Sequence, residues 1–218
     1  MREIIVLLGP PASGKGTQAM FLVENFKYLS LSTGSLLRKE IATGSDLGKS
    51  VANVINKGNL VPDELIFDVL KSELSRINAD KIILDGFPRT LKQAELFSEY
   101  LETSEFKLKK VFMINLSKEA ILERIRSRIT CKNCGAIYNA VSKRPKVEGV
   151  CDVCHSTNLV SRADDLDMEA VIKRIDIFDN NKDSILSFYR KKSLIFLIDG
   201  LKDVKAINCE IIKALNVN

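Results

Sequence analysis

The sequence predicts an α/β fold of three layers, in which helices cover both faces of a five-stranded parallel sheet. Apolar runs of strand length alternate with longer segments of helical periodicity, and the first run, residues 4–8, is apolar throughout. A glycine-rich loop follows that run directly. Ligands of such folds bind beyond the carboxyl ends of the strands, so the loop, Asp85 and Asn115 are expected at one edge of the sheet.

The order of elements is predicted from periodicity and from cap residues. Strands are expected at residues 4–8, 28–31, 81–85, 111–116 and 194–198. The longer helices are expected at residues 17–26, 91–101, 118–128, 168–190 and 204–215. Between the second and third strands, Ser45 is a candidate cap of a helix whose apolar face includes Leu47, Gly58 ends that helix, and Pro62 begins another.

The composition and charge are those of an ordinary globular protein. A chain of 218 residues with 45% hydrophobic and 28% charged residues fits one α/β domain with insertions. The net charge of +5 is mild, and the basic clusters at residues 107–110 and 190–192 are expected at exposed ends of helices or loops, not at nucleic-acid sites. Without an apolar stretch of about 20 residues or a signal-peptide core, a cytoplasmic location without a membrane partner is expected.

The loop at residues 9–17, with the sequence GPPASGKGT, has the spacing of a phosphate-binding loop. Backbone N–H groups at the start of a helix favour a polyanion, and Lys15 adds a mobile positive charge. The hydroxyl comes one residue late, at Thr17, because Gly16 follows the lysine. The methyl group of Ala12 adds bulk to the loop and is expected to be tolerated there. The alternative, a glycine-rich turn without a ligand, leaves the agreement of strand, spacing, lysine and hydroxyl unexplained.

Two cysteine pairs predict a metal site in the segment at residues 129–165, which lacks apolar periodicity. The pairs are separated by 16 residues and consist of Cys131 with Cys134 and Cys151 with Cys154. This spacing is typical of a structural Zn²⁺ site with four thiolates, and disulfides or free thiols are the alternatives. His155 is expected to be solvated rather than to replace Cys154, and Cys209 to be a buried small side chain.

Four motifs, in the order in which they occur, resemble the adenylate kinases, a family of nucleoside monophosphate kinases. They are the loop at residues 9–17, LSTGSLLR at 31–38, DGFPRT at 85–90 followed by Gln93, and R-x-D-D at 162–165. The resemblance covers nearly the whole chain and implies a monomer that transfers a phosphoryl group from MgATP to AMP. It also implies a core of residues 1–31, 62–128 and 166–218, an AMP-binding helical insertion at 32–61, and a zinc-binding lid at 129–165 that closes over ATP and excludes water.

The resemblance also assigns the site residues. It implies contacts with ATP from Gly9, Pro10, Ala12, Ser13, Gly14, Lys15, Gly16, Thr17, Arg124, Tyr138 and Gly200. It implies contacts with AMP from Thr33, Gly34, Arg38, Leu60, Val61, Gly86, Arg89, Gln93, Arg162 and Arg174, with Thr33 and Gln93 on the adenine side. The catalytic set that it implies consists of Lys15, Asp85, Arg89, Arg124, Arg128, Arg162 and Arg174.

These residue types suit phosphoryl transfer, which requires positioning and neutralisation of charge. Arginine binds phosphate oxygens with a planar fork and stays protonated, and an AMP phosphate that is already ionised needs no general base. Each arginine could instead form a surface salt bridge, and Lys173 rather than Arg174 could face the phosphates. Asp85 is expected to hold a water of the Mg²⁺ shell or, alternatively, to cap the following turn. Ser35 departs from the aspartate expected at its position.

Two alternative functions are weighed against this one. A kinase for UMP or CMP would share the fold, but Gln93 and the long cysteine-containing segment argue against it. A non-catalytic zinc-ribbon module that binds RNA or a partner protein would have no need of Lys15, Asp85 or the arginines.

Overall fold

The computed structural model describes residues 1–57, 59–141, 143–162 and 165–216. Gly58, which was expected to end a helix, and Asp164 of the R-x-D-D motif lie outside the described residues, as does the side chain of Leu47. None of the helices in this described part combines the length and apolarity that crossing a membrane requires.

A parallel sheet of five strands forms the centre of the fold and confirms the predicted α/β class. The strands are β1 (Arg2–Leu8), β2 (Leu29–Ser32), β3 (Lys81–Asp85), β4 (Phe106–Asn115) and β8 (Ile195–Asp199). Their order across the sheet is β2-β3-β1-β4-β8, and all neighbouring pairs run parallel. The glycine-rich loop follows β1, so it leaves the sheet at the middle of its carboxyl edge.

Helices connect these strands and begin largely where the cap residues predict. They are α1 (Lys15–Phe26), α2 (Thr33–Ala42), α3 (Asp46–Asn56), α4 (Asp63–Arg76), α5 (Leu91–Thr103), α6 (Lys118–Arg126), α7 (Met168–Lys191) and α8 (Val204–Leu215). The Ser45 hydroxyl accepts the backbone N–H of Gly48, and the Ser117 hydroxyl accepts that of Ala120. Such caps satisfy N–H groups that have no partner within the helix.

The alternation of side chains along β1 divides the hydrophobic core between the two faces of the sheet. Ile4 and Val6 pack into a cluster with side chains of α4, α5 and α7, including Leu70, Phe97 and Ile185. Ile5 and Leu7 pack on the other face with α1 and α8, through Ala19, Leu22, Ile207 and Ile211. Successive side chains of a strand point to opposite faces, so a run that is apolar throughout requires helices on both sides. The predicted three layers follow from this burial.

A second, three-stranded sheet lies in the segment that lacks helical periodicity. It consists of β5 (Arg128–Cys131), β6 (Ile137–Asn139) and β7 (Leu159–Val160), in the antiparallel order β6-β5-β7. Its small core contains Cys131, Ala136, Tyr138 and Cys151.

The structure corrects several expectations. The basic residues 107–110 belong to strand β4 and are not the end of a helix or loop, since Phe106 is buried and Lys109 forms an ion pair with Glu3. Helix α6 ends at Arg126, so Arg128 lies in β5 and not in the helix. Helix α1 begins at Lys15 rather than at residue 17.

Cys209 is exposed, not buried. The buried face of α8 contains Ile207, Asn208, Ile211 and Leu215, and position 209 falls outside that stripe.

Candidate active site

A cavity of about 1390 Å³ opens at the carboxyl edge of the central sheet. Every residue assigned to nucleotide binding or catalysis from the sequence lines it, except Pro10. Asp85 lines it at the end of β3, Gly200 directly after β8, and Tyr138 from β6 of the small sheet. The cavity therefore lies between the central sheet, the helices α2 and α3, and the small sheet.

The glycine-rich loop curls around the ammonium group of its own lysine. Lys15 Nζ donates hydrogen bonds to the backbone oxygens of Gly9 and Pro10, both at 2.8 Å, and contacts the Ser13 hydroxyl at 3.2 Å. Pro10 is thus part of the loop through its carbonyl, although its side chain does not line the cavity. Gly9 has φ 152°, and a Cβ there would lie 2.6 Å from the oxygen of Ile114, so glycine is required.

Ala12 adopts φ 56°, the left-handed region that L side chains rarely occupy. The strain of that conformation, and not the volume of the methyl group, is the difference that alanine makes here. The protein accommodates the methyl group, because Ala12 packs against a hydrophobic cluster that includes Leu116 and Ile121.

Lys15 and Asp85 are buried close to each other and to several arginine side chains. Burial lowers the pKa of Lys15 to about 8; Asp85 opposes this shift, whereas Arg89, Arg128 and Arg162 add to it. Burial raises the pKa of Asp85, and the positive charges of Lys15 and the arginines oppose that change. Several cations are therefore concentrated around the Asp85 carboxylate, as expected for a site that binds a polyanion.

Gly16 lies near both the small sheet and the carboxylate of Asp85. A Cβ at this position would lie 3.4 Å from Ile137 Cδ1 in β6 and 3.9 Å from Asp85 Oδ2. The small sheet consequently approaches the loop directly, and the carboxylate lies beside the first turn of α1.

A second group of residues meets around the loop after β3 and the start of α2. The Thr33 hydroxyl donates to the oxygen of Gly86 at 3.1 Å, and Arg89 Nε donates to the same oxygen at 2.9 Å. Arg38 Nη2 donates to the Ser35 hydroxyl at 3.3 Å, so the serine retains a contact with this arginine. The guanidinium groups of Arg38 and Arg89 therefore both lie at this side of the cavity.

Gln93 is a buried side chain, with 2% of its surface exposed. Its Oε1 accepts the backbone N–H of Arg89 at 2.7 Å, and its Nε2 donates to Asp63 Oδ1 at 2.7 Å. The other oxygen of Asp63 accepts the Thr90 hydroxyl at 3.0 Å. From the sequence, only a helix beginning at Pro62 was expected here, because nothing local connects Asp63 with Gln93.

Arg124 links the loop after β8, at one end of the sheet, with the loop after β1, at its middle. Its Nη2 donates to the oxygen of Gly200 at 2.7 Å, and its Nη1 lies 3.5 Å from the oxygen of Ser13. Leu201, Lys202 and Val204 also line the cavity beyond Gly200. They were missed in the sequence, although the rule that ligands gather after strand ends could have identified the loop that follows the last strand.

Asp165 joins two of the predicted arginines. Arg128 donates through Nε and Nη2 to its two oxygens at 2.7 and 2.5 Å, and Arg174 Nη2 donates to Oδ1 at 3.2 Å. Asp165 is only 9% exposed, so these are partly buried ion pairs and not surface salt bridges. Arg174, not the exposed Lys173, lines the cavity.

The four cysteines of the two pairs come together in the small sheet, and all four sulfur atoms lie within 4.8 Å of one another. Cys131 and Cys154 are 3.6 Å apart at Sγ, and Cys134 and Cys151 are 3.5 Å apart. A disulfide requires about 2.05 Å, whereas tetrahedral zinc with bonds of about 2.3 Å spaces its sulfurs by about 3.8 Å. The cluster could hold a metal ion.

Neighbouring groups prepare the cluster for a cation. Burial raises the pKa of Cys151, but the Tyr138 hydroxyl at 3.3 Å and backbone N–H groups outweigh it and lower that pKa to about 6. Tyr138 itself accepts the backbone N–H of Asp152 at 2.7 Å, so its own proton is directed to the sulfur. His155 is exposed, as expected for a solvated side chain.

The chain is similar to several known proteins. The family model described as adenylate kinase matches residues 7–194. Proteins named adenylate kinase are 39% identical in Archaeoglobus fulgidus, over 95% of both chains, and 38% identical in Caldicellulosiruptor bescii, over 98% of this chain and 99% of the other. A third, from Thermosipho melanesiensis, is 39% identical over 97% of this chain and 98% of its own. The chain therefore belongs to the adenylate kinase family of nucleoside monophosphate kinases, in the form that carries a four-cysteine lid.

Proposed function

We propose that the protein catalyses reversible phosphoryl transfer from MgATP to AMP, which yields two ADP. The observation that carries this proposal is the single cavity in which Lys15 and six arginines meet; the arginines are Arg38, Arg89, Arg124, Arg128, Arg162 and Arg174. Two nucleotides that meet phosphate to phosphate bring several negative charges together, and fixed cations lower the energy of that arrangement.

The proposed division of the cavity follows its two sides. Lys15, Arg124 and the loop around Ser13 would hold the phosphates of ATP, with Gly200 and its loop on the nucleoside side. Arg38 and Arg89, which lie beside Thr33 and Gly86, would hold the phosphate of AMP. The loop presents backbone N–H groups at the start of α1, which favours ATP phosphates at that end.

Arg128, Arg162 and Arg174 would complete the charge around the transferred group. Two of them are oriented by Asp165, which supports their positions and limits the repulsion between them. The attacking oxygen of AMP is ionised near neutral pH, so the mechanism needs no general base. In support, the sequence has one histidine, His155, and it is exposed outside the cavity.

Asp85 fits a role toward Mg²⁺. It is a carboxylate at the end of β3 within the cavity, close to Gly16 and surrounded by cations that favour its ionised form. Mg²⁺ prefers one or two carboxylates together with substrate oxygens and water. When bound with ATP, the ion would neutralise charge on the transferring phosphates. Asp85 and Thr17 are the residues proposed to hold its hydrated shell.

The cysteine cluster is proposed to bind Zn²⁺ as a structural ion. Four thiolates close the coordination shell, so the ion would stabilise the small sheet and take no part in the reaction. Residues 129–165 would then act as a lid that covers ATP and excludes water, which would otherwise accept the phosphoryl group. Ile137 Cδ1 lies 3.4 Å from where a Cβ of Gly16 would be, and this proximity to the loop supports this position for the lid.

The domain boundaries, the cellular location, the oligomeric state and the partners are also proposals. We take residues 1–31, 62–128 and 166–218 as the core and residues 32–61 as the AMP-binding insertion, in keeping with the helices α2 and α3 of that segment. A cytoplasmic monomer that acts on ATP, AMP and ADP, without a nucleic-acid or membrane partner, is the expectation from the sequence.

The decisive experiment gives the purified protein MgATP with AMP, UMP or CMP and follows the formation of ADP. Turnover with AMP alone supports the proposal, a preference for UMP or CMP selects a different kinase, and no turnover in folded, metal-bound protein favours a binding module. Lys15→Ala should abolish turnover while leaving bound zinc unchanged. Lys71→Ala, at an exposed lysine of α4, is the matched control and should behave like the parent.

A further inference from the structure

We propose that Asp63 is a positioning residue that fixes the side-chain amide of Gln93 in one orientation and thereby makes the monophosphate site selective for adenine over 6-oxopurines. The inference rests on the proposed function, because it concerns the base of the nucleotide that accepts the phosphoryl group. The inference is based on two hydrogen bonds of the Gln93 amide, one accepted by its oxygen and one donated by its nitrogen.

The amide of Gln93 is held at both ends by partners that cannot exchange roles. Oε1 accepts from the backbone N–H of Arg89, which can only donate. Nε2 donates to the carboxylate of Asp63, which can only accept when ionised. A rotation of the amide by half a turn would place two donors face to face at Arg89 and two acceptors face to face at Asp63. Both hydrogen bonds would be lost at a side chain that is 2% exposed.

The fixed orientation determines what the amide offers to a ligand. An amide has two donor hydrogens and two acceptor positions, and each of the two protein contacts uses one. Among the residues that the structure describes, no further partner is recorded for the remaining N–H and the remaining lone pair of Gln93. Since Gln93 lines the cavity, these groups form a donor and an acceptor in a set order.

Adenine presents an acceptor at N1 beside a donor at its 6-amino group, which matches one donor and one acceptor side by side. Hypoxanthine and guanine present the reverse pattern, with a hydrogen on N1 and an acceptor oxygen at C6. They would pair with Gln93 only after its amide had turned, and that turn breaks the contacts with Arg89 and Asp63. A site that rejects the wrong pattern through unpaired buried groups discriminates more strongly than one that relies on shape.

Asp63 acts from outside the cavity. It does not line the cavity, and its second oxygen accepts the Thr90 hydroxyl at 3.0 Å, which fixes the carboxylate plane. Thr90 in turn caps α5 by accepting the backbone N–H of Gln93 at 3.1 Å. The first residue of α4 is therefore connected to the start of α5, where Gln93 lies. Asp63 would influence base selection only through the orientation of Gln93.

The test compares Asp63→Asn with Glu64→Gln. Both substitutions remove one negative charge from the first turn of α4, but Glu64 is exposed and has no recorded contact with Gln93. Dissociation constants for AMP, IMP and ATP are measured by titration calorimetry on the whole, metal-bound protein. Because binding is measured and not turnover, failure of catalysis would count against the proposed function without deciding this inference.

In Asp63→Asn the new amide can either accept from or donate to Gln93, so the two orientations approach each other in free energy. We expect the ratio of the IMP to the AMP dissociation constant to fall by about tenfold, while ATP affinity changes by less than about twofold. Glu64→Gln should leave the ratio unchanged. An unchanged ratio in Asp63→Asn, or an equal fall in both variants, would overturn the proposal.

Two additional measurements distinguish loss of amide positioning from a general loss of structure. Asp63→Ala should also lower the ratio of the IMP to the AMP dissociation constant, because only Arg89 then orients the Gln93 amide. An unaltered ATP affinity would show that this variant has folded, and a parental ratio in the folded variant would contradict the inference. In ¹⁵N spectra of protein without nucleotide, the side-chain amide signal of Gln93 should shift and lose protection from exchange in Asp63→Asn but not in Glu64→Gln. A signal that does not respond would mean that Asp63 does not hold the amide.

Discussion

The two sheets of this protein are stabilised in different ways. The five-stranded sheet is covered on both faces by apolar clusters in which Ile4, Ile5 and Phe97 are fully buried. The three-stranded sheet has only four residues in its buried cluster, and two of them are cysteines. Apolar burial contributes about 25 cal/mol per Å², so a sheet with so little of it needs another source of stability. The cavity is therefore built from one region that is stabilised by apolar burial and from another that contains four cysteines able to hold a metal ion.

The largest expected effect is a selective loss of structure in the three-stranded sheet when the metal is removed. Structural zinc contributes about 10–16 kcal/mol of binding free energy in small zinc-binding peptides at neutral pH, so chelation should unfold the three-stranded sheet. Hydrogen exchange should show loss of protection in β5, β6 and β7 and retention in β1 and β3. Cys131→Ser should act in the same way. Equal loss of protection in both sheets would end the distinction.

Phe97→Ala tests the opposite region. Phe97 is fully buried with its ring edge-on to that of Phe87, and its removal should lower the free energy of unfolding of the core by about 3–5 kcal/mol. Zinc content should stay at the parental level, measured by metal analysis of the folded protein. Leu197→Ala, at a half-exposed position of β8, is the control and should change stability by less than about 0.5 kcal/mol.

Asp165→Asn tests the connection between the two regions. Arg128 begins β5 of the small sheet and Arg174 lies in α7, so Asp165 joins both to one carboxylate. Its neutralisation should cost about 3 kcal/mol in thermal or denaturant unfolding, because two partly buried guanidinium groups lose their counter-charge. Asp176→Asn breaks an exposed pair with Lys118 and should cost less than about 1 kcal/mol. Similar losses in both variants would show that burial does not strengthen the Asp165 pairs.

The smallest expected effect is the pH dependence of stability that arises from the lowered pKa of Lys15. Lys15 has a pKa of about 8 against an ordinary value of 10.5, so the unfolded chain binds more protons between these pH values. Its contribution to the free energy of unfolding therefore rises with pH across that window. Titration of ¹³C-labelled lysine side chains should find the shifted group. Chelation of the metal should raise its pKa, since burial would decrease and Arg128 would move away; an unaltered titration would mean that the small sheet does not affect Lys15.

Much of the core and of the phosphate loop could be predicted because both depend on local patterns. The apolar run at residues 4–8, the loop after it and the pairs of cysteines are short, and each one specifies its own structure or chemistry. The central sheet and the cysteine cluster agree with the sequence for that reason.

Contacts between distant residues could not be predicted. The partner of Gln93 lies 30 residues earlier, and the partner of Arg128 lies 37 residues later. The basic residues 107–110 have the composition of a surface loop, yet pairing with β1 makes them part of a strand. In that case tertiary pairing outweighs the local preference of lysine.

The pairing of β1 with β3 sets the position of the chemistry. Leu7 is aligned with Asp85, and the N–H of Gly86 donates to the oxygen of Leu7 at 3.2 Å. A slip of one residue between these strands would turn the carboxylate to the opposite face and move it by about 3.3 Å along the strand. The backbone hydrogen bonds between β1 and β3 therefore determine where Asp85 lies relative to Lys15, and no side-chain contact is needed to set that position.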